Sequence, residues 1–171
     1  MTEVDRRAML GIVALGGASV AAGAAVGAPK ELSFADLKKE AEMACLYHCD
    51  FADAKRFDAM LRNINNHLSV YKFDPFAMKI VMVMHGPGVK FFLKDLSGTP
   101  WANDPVDPEL QSRAKGLAQY GVDAYLCKIT FERLKIDPAK ALDEAYIKFV
   151  PSGVATVAAL QGKGFSYIKC G

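Results

Sequence analysis

Short apolar segments recur along the chain and predict five β-strands. The clearest is Met78–Met84 (MKIVMVM), which is apolar almost throughout, as expected for a strand that is covered on both faces. The other four are Met43–Tyr47, Val122–Leu126, Tyr146–Val150 and Phe165–Lys169. Each segment is flanked by polar residues, glycine or proline. Each therefore has the length of a strand and is too short for a buried helix.

The segments between these strands carry apolar residues at helical spacing. The apolar positions of Ala54–Val70 predict a helix with one buried face, and they are Phe57, Met60, Leu61, Ile64 and Leu68. Further helices are predicted at Ser33–Glu42, Val89–Leu96, Glu109–Tyr120, Ile129–Lys135 and Val154–Gln161. Strands that alternate with helices predict right-handed βαβ units. The expected fold is therefore α/β, a three-layer sandwich with a mostly parallel five-stranded sheet and helices on both faces.

The N-terminal 28 residues differ in composition from the rest of the chain. Arg6 and Arg7 precede an uncharged run from Ala8 to Ala28 that is rich in glycine and alanine. An arginine pair before a modestly apolar run is typical of a twin-arginine export signal, although Asp5 stands where a small hydroxyl residue is more usual. We therefore divide the chain into residues 1–28, an export signal or membrane anchor, and residues 29–171, one α/β domain.

Export predicts a periplasmic protein, either soluble or anchored. The stretch Ala22-Gly23-Ala24 offers a small-x-small cleavage site, and Val26-Gly27-Ala28 offers another that Pro29 disfavours. If the segment is retained, about 20 apolar residues can just span a bilayer, so membrane contact depends on residues 8–28.

Composition narrows the functional classes. The chain has 171 residues, of which 51% are hydrophobic, and this suits one domain with a sizeable core. A formal charge of +2 without a basic run argues against nucleic-acid binding. An oxidising periplasm permits disulfides, and the four cysteines allow three full pairings among which the sequence does not choose.

Three reactive side chains follow predicted strands. His48 ends the first strand, His85 the second and Cys127 the third. Because ligands of open α/β sheets bind at the carboxyl edge of the strands, we expect a shared site there. Lys128 and a helix start after Cys127 favour a thiolate, although a buried inert cysteine is equally compatible with this pattern. His67 lies within a predicted helix and is interpreted as structural.

The segment HGPGVKF has two interpretations. The backbone N–H groups of Gly86 and Gly88 could face an anion at a helix start, or the glycines could simply form a tight turn. The segment is neither a Walker loop nor a dinucleotide fingerprint.

Cys49 adds two alternatives. It ends the first strand, so it could form a disulfide or dithiol with Cys127, or bind zinc or copper together with His48, His85 and Cys127. Cys45 is about 13 Å away along an extended strand and cannot chelate the same ion. Our expectation is that Cys49 contributes to ligand binding and that the protein has no resident metal or cofactor.

An ordered set of segments resembles the DsrE/DsrF-like family, in the branch described as sulfur-oxidation proteins. These segments are YHCD at 47–50, LRNINNHL at 61–68, KIVMVMHGPGVKFF at 79–92, GVDAYLCKITFERLKI at 121–136 and VPSGVATVAALQGKGFSYIK at 150–169. The resemblance implies a DsrE or flavodoxin-like sandwich that assembles as trimers or hexamers. It also implies that Cys127 can accept sulfane sulfur as a persulfide, with His85 and the glycine turn matching the branch. Cys45 and Cys49 depart from it, since aliphatic residues are expected there.

The leading functional hypothesis is sulfur handling outside the cytoplasm, with Cys127 as the carrier. His85 and His48 would set its protonation, and sulfur donor and acceptor proteins or small sulfur species would be its partners. The alternatives are an accessory subunit tethered to a membrane complex by its N-terminal segment, and a redox or metal-binding module.

Overall fold

The computed structural model describes residues 28–170. The predicted export segment, residues 1–28, lies almost entirely outside the described residues. Export and cleavage therefore stay predictions. Within residues 28–170, no helix combines the length and apolarity that a membrane crossing requires.

Strands and helices alternate along the described chain. The strands are β1 (Lys30–Glu31), β2 (Met43–Cys49), β3 (Met78–Met84), β4 (Asp123–Cys127), β5 (Ile147–Val150) and β6 (Ser166–Lys169). The α-helices are α1 (Ala54–Val70), α2 (Pro108–Ala118), α3 (Lys128–Leu134) and α4 (Gly153–Gly162). Two 3₁₀ helices occupy Gly86–Phe92 and Pro138–Lys140.

The described strands form one parallel sheet in the order β1-β5-β4-β3-β2-β6. The predicted α/β class is confirmed, but the predicted strand count is short by one, because the sheet has six strands. The missed strand, β1, pairs with Lys148 and Phe149 at the sheet edge. Its two residues are too few to show a periodic pattern.

Two predicted helices are wrong. Residues 33–42 contain no helix: they begin with a turn at 33–36, in which the Asp36 carboxylate accepts hydrogen bonds from the backbone N–H and hydroxyl of Ser33 at 2.8 and 2.7 Å. In place of the predicted helix at Val89–Leu96, the chain forms the 3₁₀ helix Gly86–Phe92. All five residues from Gly88 to Phe92 are buried there, whereas a helix with one buried face would expose some of them.

The sheet separates two apolar clusters, because successive side chains of a strand point to opposite faces. We call these sides the α1 face and the α4 face. On the α1 face, Cys45, Tyr47 and Cys49 pack with the buried residues of α1 and α2. On the α4 face, Leu46 and Val83 pack with Leu160 of α4 and with Leu32 and Leu37, which lie between β1 and β2.

At the amino ends of the strands, the α4 face carries a compact ionic group. Asp123 accepts from Lys79 Nζ at 2.7 Å and from Lys148 Nζ at 2.6 Å. The Asp123 carboxylate therefore has a cationic partner at each oxygen, as a largely buried charge requires.

The first residue of α4 lies very close to the carboxyl ends of the strands. Ser152 caps the helix, accepting a hydrogen bond from the Ala155 N–H. A β-carbon added to Gly153 would lie 2.5 Å from the Cβ of His85 and 3.2 Å from the Cβ of Cys127. Glycine is therefore required for α4 to start this near the sheet.

We expect Gly153→Ala to lower the free energy of unfolding by about 1–3 kcal/mol, because the new methyl group meets side-chain atoms next to the backbone that have little room to move. Chemical denaturation measures this change. The matched control is Gly162→Ala in the same helix, where an added β-carbon has no neighbour within 4 Å. Equal losses of stability in the two variants would contradict the close packing of α4.

His67 lies in the last turn of α1 and its Nδ1 is 3.1 Å from the Tyr47 hydroxyl oxygen. A helix C-terminus favours the protonated imidazole. Burial has the larger effect and lowers the pKa of His67 below its ordinary value. The folded protein therefore prefers neutral His67.

This preference predicts that acidification destabilises the protein through His67. As the pH falls through about 6.5, the unfolded chain binds a proton at this residue before the folded chain does. The contribution of His67 is complete above that pH and is lost as the pH falls toward the lower folded-state pKa. The free energy of unfolding should therefore decrease more between pH 7 and pH 5.5 for the wild type than for His67→Gln. Identical decreases would refute the role assigned to His67.

Candidate functional site

The carboxyl ends of the central strands lie at one level. Cys49 of β2 pairs with Met84 of β3, and Met84 pairs with Leu126 of β4. His85 follows β3 in an extended conformation, with φ −143° and ψ 168°, so it continues the alternation of that strand. His48, His85 and Cys127 therefore project from the same edge of the sheet and on the same side, the α4 face.

The two imidazoles are in contact. The rings of His48 and His85 stack with their centroids 4.7 Å apart and an angle of 24° between their planes. Tyr167 of β6 lies on the other side of His48, and its hydroxyl oxygen is 3.2 Å from His48 Nδ1. The strand pairing of β6 with β2 thus orients the His48 ring.

Three buried side-chain polar atoms of the described chain lack a hydrogen-bond partner, and two of them belong to this pair. They are His48 Nε2, His85 Nε2 and Thr156 Oγ1. Thr156 lies one turn along α4 from Gly153. An unpaired buried polar atom costs about 1–3 kcal/mol, so such atoms are uncommon and call for an explanation.

Burial controls the charge of both histidines. It lowers the pKa of His48, with a further decrease from the neighbouring His85, and it lowers the pKa of His85. Asp50 acts in the opposite direction on both, but its effect is smaller. Both imidazoles are therefore biased toward their neutral form.

Asp50 completes a cluster with the two histidines. One potential ligand atom from each of His48, Asp50 and His85 lies within 4.8 Å of the other two. His48 and Asp50 are two residues apart, which brings their side chains to the same side of the chain at the end of β2. The candidate residues predicted from the sequence did not include Asp50, although its spacing from His48 is visible there.

Cys127 is 5% exposed and lies beside His85 under the start of α4. It is the N-cap residue of α3, and its side chain makes no capping hydrogen bond. It belongs to neither of the two apolar clusters of the described chain, in contrast to the other three cysteines. The charge of Lys128 is directed elsewhere, because its Nζ pairs with Glu31 Oε1 at 2.7 Å.

The glycines of the turn have structural roles that differ from the anion-binding prediction. The Gly86 N–H donates to Thr130 Oγ1 at 2.9 Å, and the Gly88 N–H donates to the His85 carbonyl at 3.1 Å. Neither group is free to hold an anion. Gly86 has a φ of +51°, and a β-carbon on Gly88 would lie 2.2 Å from the Cys49 carbonyl oxygen, so both positions need glycine for the turn itself.

The structure also contradicts the predicted association of Cys49 with Cys127. Cys49 is buried on the α1 face, whereas Cys127 is on the α4 face, so the sheet separates the two sulfurs. All four cysteines are free thiols. Burial raises the pKa of Cys45, of Cys49 and, to about 11, of Cys170. Burial in the core therefore disfavours the thiolate form of these three cysteines.

Two cavities lie near the edge without containing its reactive side chains. One, of about 340 Å³, opens beyond the turn and is lined by Gly86, Trp101 and Arg133 among others. The other, of about 290 Å³, lies between α3 and the chain before β1. The histidine pair and Cys127 line neither of them.

Comparison with solved structures shows a shared fold. The protein of unknown function MTH1491 from Methanobacterium thermoautotrophicum matches with a TM-score of 0.59 and 20% sequence identity, over 75% of this chain and 99% of that chain. Comparison with curated proteins finds no match.

A family model gives the assignment. The model of the DsrE/DsrF-like family matches residues 48–170, a segment that contains both histidines of the stacked pair, Asp50 and Cys127. Because this segment is well over half of the chain, the protein belongs to the DsrE/DsrF-like family.

Proposed function

We propose that this protein binds or carries sulfane sulfur on Cys127 outside the cytoplasm. Membership of the DsrE/DsrF-like family supports a sulfur-related role. The observation that carries the finer assignment is the position of Cys127, beside His85 at the carboxyl edge of the sheet and outside both apolar clusters.

The chemistry needs a thiolate and a donor with a sulfur–sulfur bond. The Cys127 thiolate attacks the terminal sulfur of a persulfide R–S–SH and forms a new S–S bond. The donor S–S bond breaks, and the donor leaves as the thiolate R–S⁻, so atoms and electrons balance without an external oxidant. The imidazole of His85 lies beside Cys127 and is stacked on that of His48, so it is the group available to accept the thiol proton.

The surroundings of Cys127 favour small donors. Only 5% of the residue is exposed, and Gly153 covers it from the side of α4. A persulfide or polysulfide anion can approach a partly covered thiol that a bulky reagent cannot reach. The same cover protects the bound persulfide from water-borne thiols, which suits a carrier with little turnover.

The proposal also includes export of the protein from the cytoplasm and its assembly into a homo-oligomer. The paired arginines Arg6 and Arg7 support export, and the family resemblance supports a homo-oligomer such as a trimer or hexamer. Sulfur donor and acceptor proteins, or small sulfur species, are the proposed partners. N-terminal sequencing of the native protein tests export, because a cleaved product would begin after residue 24 or 28.

We expect Cys127→Ala to abolish sulfur uptake. The wild-type protein, incubated with polysulfide and analysed by intact mass, should gain the mass of one sulfur atom that a reductant removes. The variant should stay at its unmodified mass, because its remaining cysteines are buried in the apolar core.

The matched control is Cys45→Ala. Cys45 is 4% exposed, nearly the same as Cys127, but it lies within the apolar cluster of the α1 face, on the opposite side of the sheet from the His48–His85 pair. This variant should take up sulfur like the wild type. Uptake by Cys127→Ala equal to that of the wild type would eliminate the proposed carrier role.

A further inference from the structure

Three groups that commonly bind metals converge at the edge of the sheet. Suitable ligand atoms of His48, Asp50 and His85 all lie within 4.8 Å of one another. His48 lies in β2, and Asp50 and His85 directly follow the parallel strands β2 and β3, whose last residues Cys49 and Met84 are paired. The rigid sheet therefore holds the cluster together.

Each of the two imidazoles has a ring nitrogen without a hydrogen-bond partner. The His48 Nδ1 is within hydrogen-bond distance of the Tyr167 hydroxyl, which leaves Nε2 as the free ring nitrogen. The Nε2 atoms of both His48 and His85 are buried and have no partner. In metal sites, a hydrogen bond at one ring nitrogen typically orients the other toward the ion.

The composition of the cluster indicates which ions fit. Two neutral imidazoles and one carboxylate suit divalent first-row transition metals, which prefer nitrogen and oxygen ligands of this kind. A tetrahedral Zn²⁺ with bonds of about 2.0–2.2 Å needs its ligand atoms roughly 3.3 Å apart. The ligand atoms of the cluster lie within 4.8 Å of one another, and Asp50 is exposed, so its side chain can rotate to bring its carboxylate closer to the imidazoles.

We propose that His48, Asp50 and His85 bind one divalent transition-metal ion and leave a fourth coordination position open. This ligand set differs from the zinc or copper alternative of the sequence analysis, because Asp50 replaces both cysteines. Cys49 lies on the α1 face, and Cys127 is not part of the converging group of ligand atoms. The proposal does not depend on sulfur transfer by Cys127.

A three-ligand site with an open position is the arrangement of reactive metal centres, whereas structural zinc sites use four protein ligands. A bound cation would also remove the cost of two unpartnered imidazole nitrogens, so metal binding should stabilise the fold.

The test uses the full chain without an appended histidine tag. After chelator treatment and dialysis, the protein is titrated with Zn²⁺ by calorimetry, and its melting temperature is recorded with and without the metal. We expect one Zn²⁺ per chain and a higher melting temperature with the metal. Asp50→Asn should weaken binding at least about tenfold, and Tyr167→Phe should weaken it by a similar factor through the orientation of His48.

Two variants serve as controls. His67→Gln removes the one histidine outside the cluster and should bind Zn²⁺ normally. Cys127→Ser should also bind normally, and this result separates the metal site from the sulfur proposal. Co²⁺ in place of Zn²⁺ should give visible ligand-field bands without a thiolate charge-transfer band.

Three results would overturn the proposal. They are the absence of Zn²⁺ binding by the wild type, unchanged affinity in Asp50→Asn, and a thiolate-to-cobalt charge-transfer band that disappears in Cys127→Ser. Loss of sulfur uptake in Cys127→Ala together with absent Zn²⁺ binding would leave the carrier role intact and remove only the metal site.

Discussion

The site depends on the register of a parallel sheet. Parallel strands that start and end together bring their last residues to one edge, and the two-residue period of a strand decides which face each side chain takes. His48 and His85 meet on the α4 face for this reason, and Cys127 joins them because β4 is paired with β3. A shift of one residue in β3 relative to its neighbours would send His85 to the opposite face and break up the site.

The buried polar groups at the two ends of the α4 face differ in whether they have hydrogen-bond or ion-pair partners. At the amino ends of the strands, both oxygens of Asp123 are paired with lysines. At the carboxyl ends, two imidazole nitrogens and the Thr156 hydroxyl are buried without partners. Stability alone would favour pairing at both ends, so the unpaired end has the character of a place where a ligand is received. Gly153 lets α4 cover this end closely, which limits access to Cys127.

Much of the fold could be predicted from local pattern, because MKIVMVM and the helical spacing around Phe57 each specify one element. The turn at residues 33–36 and the two-residue strand β1 could not, since tertiary contacts determine them. For the site, the strand ends predicted the edge shared by His48, His85 and Cys127. The prediction for Cys49 considered only the end of its strand; its position next to His48 puts it on the opposite face. The Tyr167 contact required knowing that β6 pairs with β2, a pairing between segments far apart in sequence.

The central claim is that the thiol of Cys127 and the imidazole of His85 lie side by side at the sheet edge. Nuclear Overhauser effects in solution test this directly, because they report proton pairs that are close in space. The account predicts cross-peaks from the Cys127 β-protons to the β-protons of His85 and to the α-protons of Gly153. Cross-peaks from Cys127 only to methyl groups of the apolar core, with none to His85, would contradict it.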